Sequence, residues 1–171
     1  IFYVDQTADT VVELVGGGVD TVFSTAAVYS LAGGALAAQL QVENLSYIGG
    51  GSFSGTGNGL ANRLTGAAAV DVLRGMEGAD TLFGMAGNDR LDGGNGHDTL
   101  TGGEGKDQFI FGSGPGSGPN FDAESSDVIT DFTRGSDKLA LNFWTFQALG
   151  NGGIFASAFK VISGGGVVDT S

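Results

Sequence analysis

The chain has 171 residues, 33 of them glycine and 2 proline, and its 19 acidic against 7 basic side chains give a formal charge of −12. One domain with a real core fits that length, while the charge repels polyanions such as nucleic acid and makes cations the natural partners. The absence of cysteine excludes a disulfide framework and a thiolate metal site, and so much glycine with so little proline fits neither collagen nor a proline-rich linker but a fold with glycines at fixed places.

The chain opens on Ile1 without a basic-then-apolar leader, so it is expected to be a piece of something longer. The segments ADTVV (8–12) and VDTVF (19–23) echo each other. The longest uncharged stretch, Thr21 to Val42, is interrupted by Ser24, Thr25, Ser30, Gly33, Gly34, Gln39 and Gln41, too polar for a membrane span. Residues 1–56 read as degenerate coil turns that extend the roll without a full set of calcium ligands, with Val11, Val22, Val28, Leu31, Val42 and Leu45 as their core, and GGALAAQL (33–40) suits a short helix. The string GTGNG (55–59) lacks the following helix a phosphate loop needs and opens the repeat instead. Asn44-Leu45-Ser46 matches a glycosylation acceptor only at chance level.

Residues 57–110 divide without insertion into GNGLANRLT, GAAAVDVLR, GMEGADTLF, GMAGNDRLD, GGNGHDTLT and GGEGKDQFI. Position 1 is always glycine. Position 6 is Asn62 and then Asp71, Asp80, Asp89, Asp98 and Asp107; position 8 is Leu64, Leu73, Leu82, Leu91, Leu100 and Phe109. Position 4 becomes glycine from the third block, as Gly78, Gly87, Gly96 and Gly105. Glycines at positions 1 and 4 let a six-residue loop take backbone angles closed to other residues, and the lone apolar residue suits a three-residue strand with one side chain pointing inward. Two blocks make one turn of a flattened coil, so alternate blocks stack ~4.8 Å apart and bury a ladder of leucines.

The same stacking layers the position-6 carboxylates. Two of them ~5 Å apart at an effective dielectric of 20 repel by roughly 3 kcal/mol, several times over in a marginally stable fold. A hard divalent cation between them reverses the sign. Oxygen ligands without histidine or cysteine select calcium over zinc, and the large coordination number offered by two facing loops disfavours magnesium.

This pattern resembles the RTX (repeats-in-toxin) family, whose nonapeptide is G-G-x-G-x-D-x-U-x. The resemblance implies an all-β fold, a right-handed parallel β-roll, with degenerate amino-terminal coils over 1–56, six repeats over 57–110, and a cap with a secretion-related segment over 111–171. It also implies calcium ions between loops two repeats apart, held by backbone carbonyls and position-6 carboxylates. Carried onto this chain, the ligand set is Gly75, Glu77 and Gly78; Gly84, Ala86 and Gly87; Gly93, Gly94, Asn95 and Gly96; Gly102, Gly103, Glu104 and Gly105; and the carboxylates of Asp71, Asp80, Asp89, Asp98 and Asp107. The two best sites pair Asp80 with Asp98 and Asp89 with Asp107. A third pairs Asp71 with Asp89, where Ala67 and Ala69 replace glycine, and a fourth pairs Asn62 with Asp80, where Asn62 brings no charge and Leu60 holds position 4. The count lies between two and about five ions.

Residues 107–141 are similar to the segment following the repeats in serralysin-type metalloproteases and other type I secreted proteins, through DQFIF and DVITDFTRGSDKL. Phe109 and Phe111 continue the inward ladder, and Val128, Ile129 and Phe132 are expected to cover the open end of the roll. Asp127, Asp131 and Asp137 could add a further ion, but solvated surface carboxylates are the reading preferred for them. Trp144, Phe143 and Phe146 read as core packing after the cap.

His97 is the sole histidine and sits at a variable loop position, with no G-x-S-x-G elbow or H-E-x-x-H motif in the chain, so no catalysis is expected. The resemblance implies a bacterial protein, secreted or held at the cell surface, whose partners are calcium ions and a type I exporter. Two alternatives stand beside it. One is a structural or adhesive component that self-associates at the cell surface; the other is an accessory module of a secreted protease, lipase or epimerase.

Overall fold

The computed structural model describes residues 1–13, 16–32, 41–111, 127–141 and 160–161. Every regular element among them is a strand. In chain order these are β1 (Phe2–Val4), β2 (Thr21–Ser24), β3 (Val28–Ser30), β4 (Asn44–Tyr47), β5 (Ser54–Thr56), β6 (Arg63–Thr65), β7 (Val72–Glu77), β8 (Thr81–Ala86), β9 (Arg90–Asn95), β10 (Thr99–Glu104), β11 (Gln108–Phe111), β12 (Val128–Ile129), β13 (Lys138–Leu141) and β14 (Lys160–Val161). They form two parallel sheets, ordered β1-β2-β4-β6-β8-β10-β12-β14 and β13-β11-β9-β7-β5-β3. Through the repeats consecutive strands alternate between the sheets, as a parallel β-roll requires. Among the described residues no helix is long and apolar enough to cross a membrane. The helix expected over 33–40 and the aromatic group around Trp144 lie outside the described residues.

One apolar side chain per strand faces inward, and parallel pairing stacks it on its equivalents. In the first sheet Val22, Leu45, Leu64, Leu82, Leu100 and Ile129 are in register; in the second Tyr29, Gly55, Leu73, Leu91 and Phe109 are. The position-8 leucines of the repeats and Phe109 are wholly buried, so these two ladders are the core. Outward positions carry contacts of their own, such as the Arg63 guanidinium 4.1 Å from the centre of the Phe83 ring on the neighbouring strand.

The amino-terminal turns join the same sheets, with two departures from expectation. Val22, Leu31, Val42 and Leu45 are buried and Val11 packs against them, but Val28 is exposed because strand alternation turns Tyr29 inward instead. At Gly55 the second ladder has no side chain. Phe53 fills the gap: a Cβ on Gly55 would strike its ring, which stacks on Tyr47 with centroids 4.6 Å apart and planes 4° apart.

Strand length also differs. β5 and β6 have the expected three residues, but β7 to β10 have six, because pairing resumes after position 1 and continues through positions 2 and 3, as in Met76 with Gly94 and Glu77 with Asn95. At the carboxy-terminal end, Val128 and Ile129 do not lie across the opening. They extend the first sheet, with Ile129 buried beside Leu100, while β13 extends the second beside β11. Phe111 is partly buried against the core, and Phe132 tilts onto Phe109 with centroids 6.1 Å apart.

Ladder and outward positions should therefore respond differently to truncation. Leu82→Ala should lower stability in saturating calcium by about 2–5 kcal/mol, and Val28→Ala by about 0.5 kcal/mol or less, as measured by urea unfolding.

Candidate metal centre

Parallel stacking brings the position-6 residues into two columns, one beside each sheet, linked by one recurrent hydrogen bond. The backbone N–H of each position-6 residue donates to the Oδ1 of its equivalent 18 residues later: Asn62 to Asp80 at 2.7 Å, Asp71 to Asp89 and Asp80 to Asp98 at 2.8 Å, and Asp89 to Asp107 at 2.9 Å. Each carboxylate is thereby fixed by a donor two repeats earlier, and its second oxygen is aimed into the turn.

That second oxygen has nothing to meet. The Oδ2 atoms of Asp80, Asp89, Asp98 and Asp107 are buried and have no hydrogen-bond partner. A buried carboxylate oxygen left in this way costs several kcal/mol unless a proton or a cation satisfies it. Four in succession mark a built feature of the fold.

The surroundings of these oxygens are backbone carbonyls. A Cβ at Gly75 would collide with Asp80 Oδ2 and the carbonyl of Gly93; at Gly84, with Asp89 Oδ2 and the carbonyl of Gly102. Position 1 is thus glycine because a carboxylate and a carbonyl two repeats on converge over its Cα. The expected left-handed backbone is found at positions 2 and 4 and not at position 1: Met76, Gly78, Met85, Gly87, Gly94, Gly96, Gly103 and Gly105 have φ between 84° and 137°. Alternating signs of φ turn successive carbonyls toward the facing loop. The carbonyls of Met76 and Gly78 lie against Gly94 and Gly96, and those of Met85 and Gly87 against Gly103 and Gly105.

Two gaps result in which a carboxylate oxygen and backbone carbonyls of the facing loops converge. One lies between loops 75–80 and 93–98 and contains Asp80 Oδ2; the other lies between loops 84–89 and 102–107 and contains Asp89 Oδ2. The carbonyls of Asn95 and Glu104 also tie the facing loops together, accepting from Gly78 N–H at 3.0 Å and Gly87 N–H at 2.8 Å. Such a donor set fits a calcium ion. The Met76 and Met85 carbonyls, which face these gaps, were not in the expected set. Their only signal in the sequence is that Gly94 and Gly103 hold the same position in later repeats.

The first two repeats differ. Leu60 and Ala69 replace the position-4 glycine, and neither loop has the left-handed pair. Asp71 Oδ2 consequently closes on the N–H of Ala67 at 2.6 Å, and Asn62 Oδ1 on the N–H of Asn58 at 2.7 Å. Beyond the repeats, Asp127, Asp131 and Asp137 are not solvated surface groups. Asp127 and Asp137 accept from the N–H of Asp98 and Asp107, each at 3.0 Å, and Asp131 caps the N–H groups of Gly102 and Gly103 at 2.9 and 2.7 Å. They bind the final coil to the roll as the repeat aspartates bind one another. His97 is exposed at a loop tip.

Residues 56–91 and 83–116 match the family model of the RTX calcium-binding nonapeptide repeat, in four copies. This part of the chain is therefore an RTX repeat region, and its repeats bind calcium. No curated protein and no solved structure gives a significant match to the chain. The family that does match is a calcium-binding repeat and not a catalytic one.

Burial raises the carboxyl pKa of Asp80 and Asp89 to about 7 and that of Asp98 to about 6, with neighbouring carboxylates adding to it, and raises Asp71 and Asp107 in the same direction. Asp127 is likewise raised to about 7 by burial. Without calcium the folded chain thus holds protons that the unfolded chain releases near the ordinary aspartate value of about 4. The stability these groups contribute to the metal-free roll is full below about pH 4 and is lost as pH rises through about 7. In chelator, lowering the pH from 8 to 5 should therefore increase the β signal in circular dichroism. A second prediction concerns backbone strain. Met76→Gly or Met85→Gly should stabilise the calcium form by about 1 kcal/mol in urea unfolding, because glycine occupies positive φ without a Cβ clash.

Proposed function

We propose that this chain is a calcium-triggered folding module of a bacterial secreted protein, with no catalytic role of its own. Asp80 with loop 93–98 and Asp89 with loop 102–107 hold the principal ions, and Asp98 and Asp107 contribute to sites completed by the final coil. The observation that carries this reading is the run of four buried Oδ2 atoms without a partner. At neutral pH and low calcium these carboxylates ionise and repel, the coil cannot close, and an extended acidic chain results.

That property suits passage through a type I exporter. Inside the cell calcium is scarce and the chain is kept extended; outside, at millimolar calcium, filled loops stabilise the roll by mass action in proportion to occupancy. Supporting this destination are the charge of −12, the absence of cysteine staples, and the resemblance of residues 107–141 to the segment after the repeats in exported proteins.

The test is a calcium titration followed by far-UV circular dichroism at pH 7.5. We expect a cooperative gain of β structure with a midpoint of about 10⁻⁴–10⁻³ M, the range of extracellular calcium modules. A chain already folded in chelator refutes the switch. Asp89→Ala should raise the midpoint well above that of Asp71→Ala, because Asp71 Oδ2 is engaged by Ala67 N–H whereas Asp89 Oδ2 is free for an ion. Equal midpoints would contradict the assignment.

A further inference from the structure

Outside the repeats, the loop before β2 has the same backbone pattern. Gly16 and Gly18 have φ of +92° and +107°, followed two residues later by Asp20, as Gly94 and Gly96 at +102° and +137° precede Asp98. Val22 then enters the first ladder in register with Leu45. Residues 15–23, VGGGVDTVF, are thus a nonapeptide lacking only the glycine at position 1, and they lie outside the stretch that matches the RTX family model. Asp20 heads the column of the first sheet. Its N–H donates to Glu43 Oε2 at 2.9 Å, so Glu43 takes the part that Asp98 plays for Asp80.

The second observation is Glu13. Its side chain is 8% exposed, and its Oε2 is buried without a partner. The other oxygen lies where a Cβ on Gly17 would be, so the glycine loop folds directly over the carboxylate. The neighbouring Asp20 carboxyl group, together with burial, raises the Glu13 carboxyl to about 7. Two neighbouring carboxylates repel when both are ionised, and a cation between them removes that repulsion.

We infer that Glu13 and Asp20, with the loop Gly16–Asp20 between them, form a separate divalent-cation site in the amino-terminal coil. Its ligands are two carboxylates and the carbonyls of a left-handed glycine loop, a hard oxygen set that takes calcium. A single glutamate from the preceding segment supplies the oxygen that a stacked repeat would otherwise bring. The site stands independently of the folding switch, because no residue of the 57–110 repeats belongs to it.

Equilibrium dialysis of the full chain at saturating calcium tests it. Glu13→Gln and Asp20→Asn should each bind one ion fewer per chain than the unaltered protein, with the calcium midpoint of the repeat transition moved less than twofold. An unchanged ion count in either variant overturns the proposal. Should a variant fail to reach the folded spectrum, crystals of the unaltered chain grown with terbium in place of calcium decide the matter. An anomalous peak between Glu13 Oε2 and Asp20 supports the site, and occupied repeat loops with no peak there refute it.

Discussion

The structure depends on carboxylate oxygens that it buries and does not satisfy. Each repeat aspartate is held by one oxygen to an N–H two repeats earlier, and in four successive repeats the other oxygen is buried without a partner. A leucine ladder could pack without them. With them, closing the coil brings acidic groups together where water cannot solvate them, so the favourable burial of Leu82, Leu91 and Leu100 is opposed until a proton or a cation enters. In the folding switch proposed above, the sign of that balance, and not the size of the core, decides whether the roll forms.

The glycines follow from the same geometry for two different reasons. At position 1 the absence of a side chain lets a carboxylate and a carbonyl converge on the Cα; at positions 2 and 4 it permits the left-handed backbone that turns carbonyls toward the facing loop. Where either requirement lapses, the gap closes in another way. Ala67 lends its N–H to Asp71, and Asn58 does the same for Asn62. At the next step toward the amino terminus Phe53 replaces the aspartate altogether. Its N–H still donates to Asp71 Oδ1 at 2.8 Å, while its ring fills the core beside Gly55.

The repeat region was legible because its period is strict. Position 8 forecast the wholly buried ladder from Leu64 to Phe109, and position 6 forecast the stacked aspartates. The amino-terminal turns were harder, since their strands recur at uneven spacing. With no fixed period, alternation alone could not tell Val28 from Tyr29, nor show that Phe53 and Gly55 exchange the roles of positions 6 and 8. Where a carbonyl faces leaves little trace in residue type, so the placing of the Met76 and Met85 carbonyls against Gly94 and Gly103 was missed. Asp127, Asp131 and Asp137 looked like surface charge because their partners are backbone N–H groups some thirty residues away.

Amide hydrogen exchange at pH 7.5, with and without calcium, examines the governing balance at the residues concerned. If unsatisfied carboxylates keep the coil open, the amides of Leu82, Leu91 and Leu100 will be strongly protected in millimolar calcium and will exchange at nearly the unfolded rate in chelator. Equal protection of those amides in chelator, at a pH where the aspartates are ionised, would contradict the account.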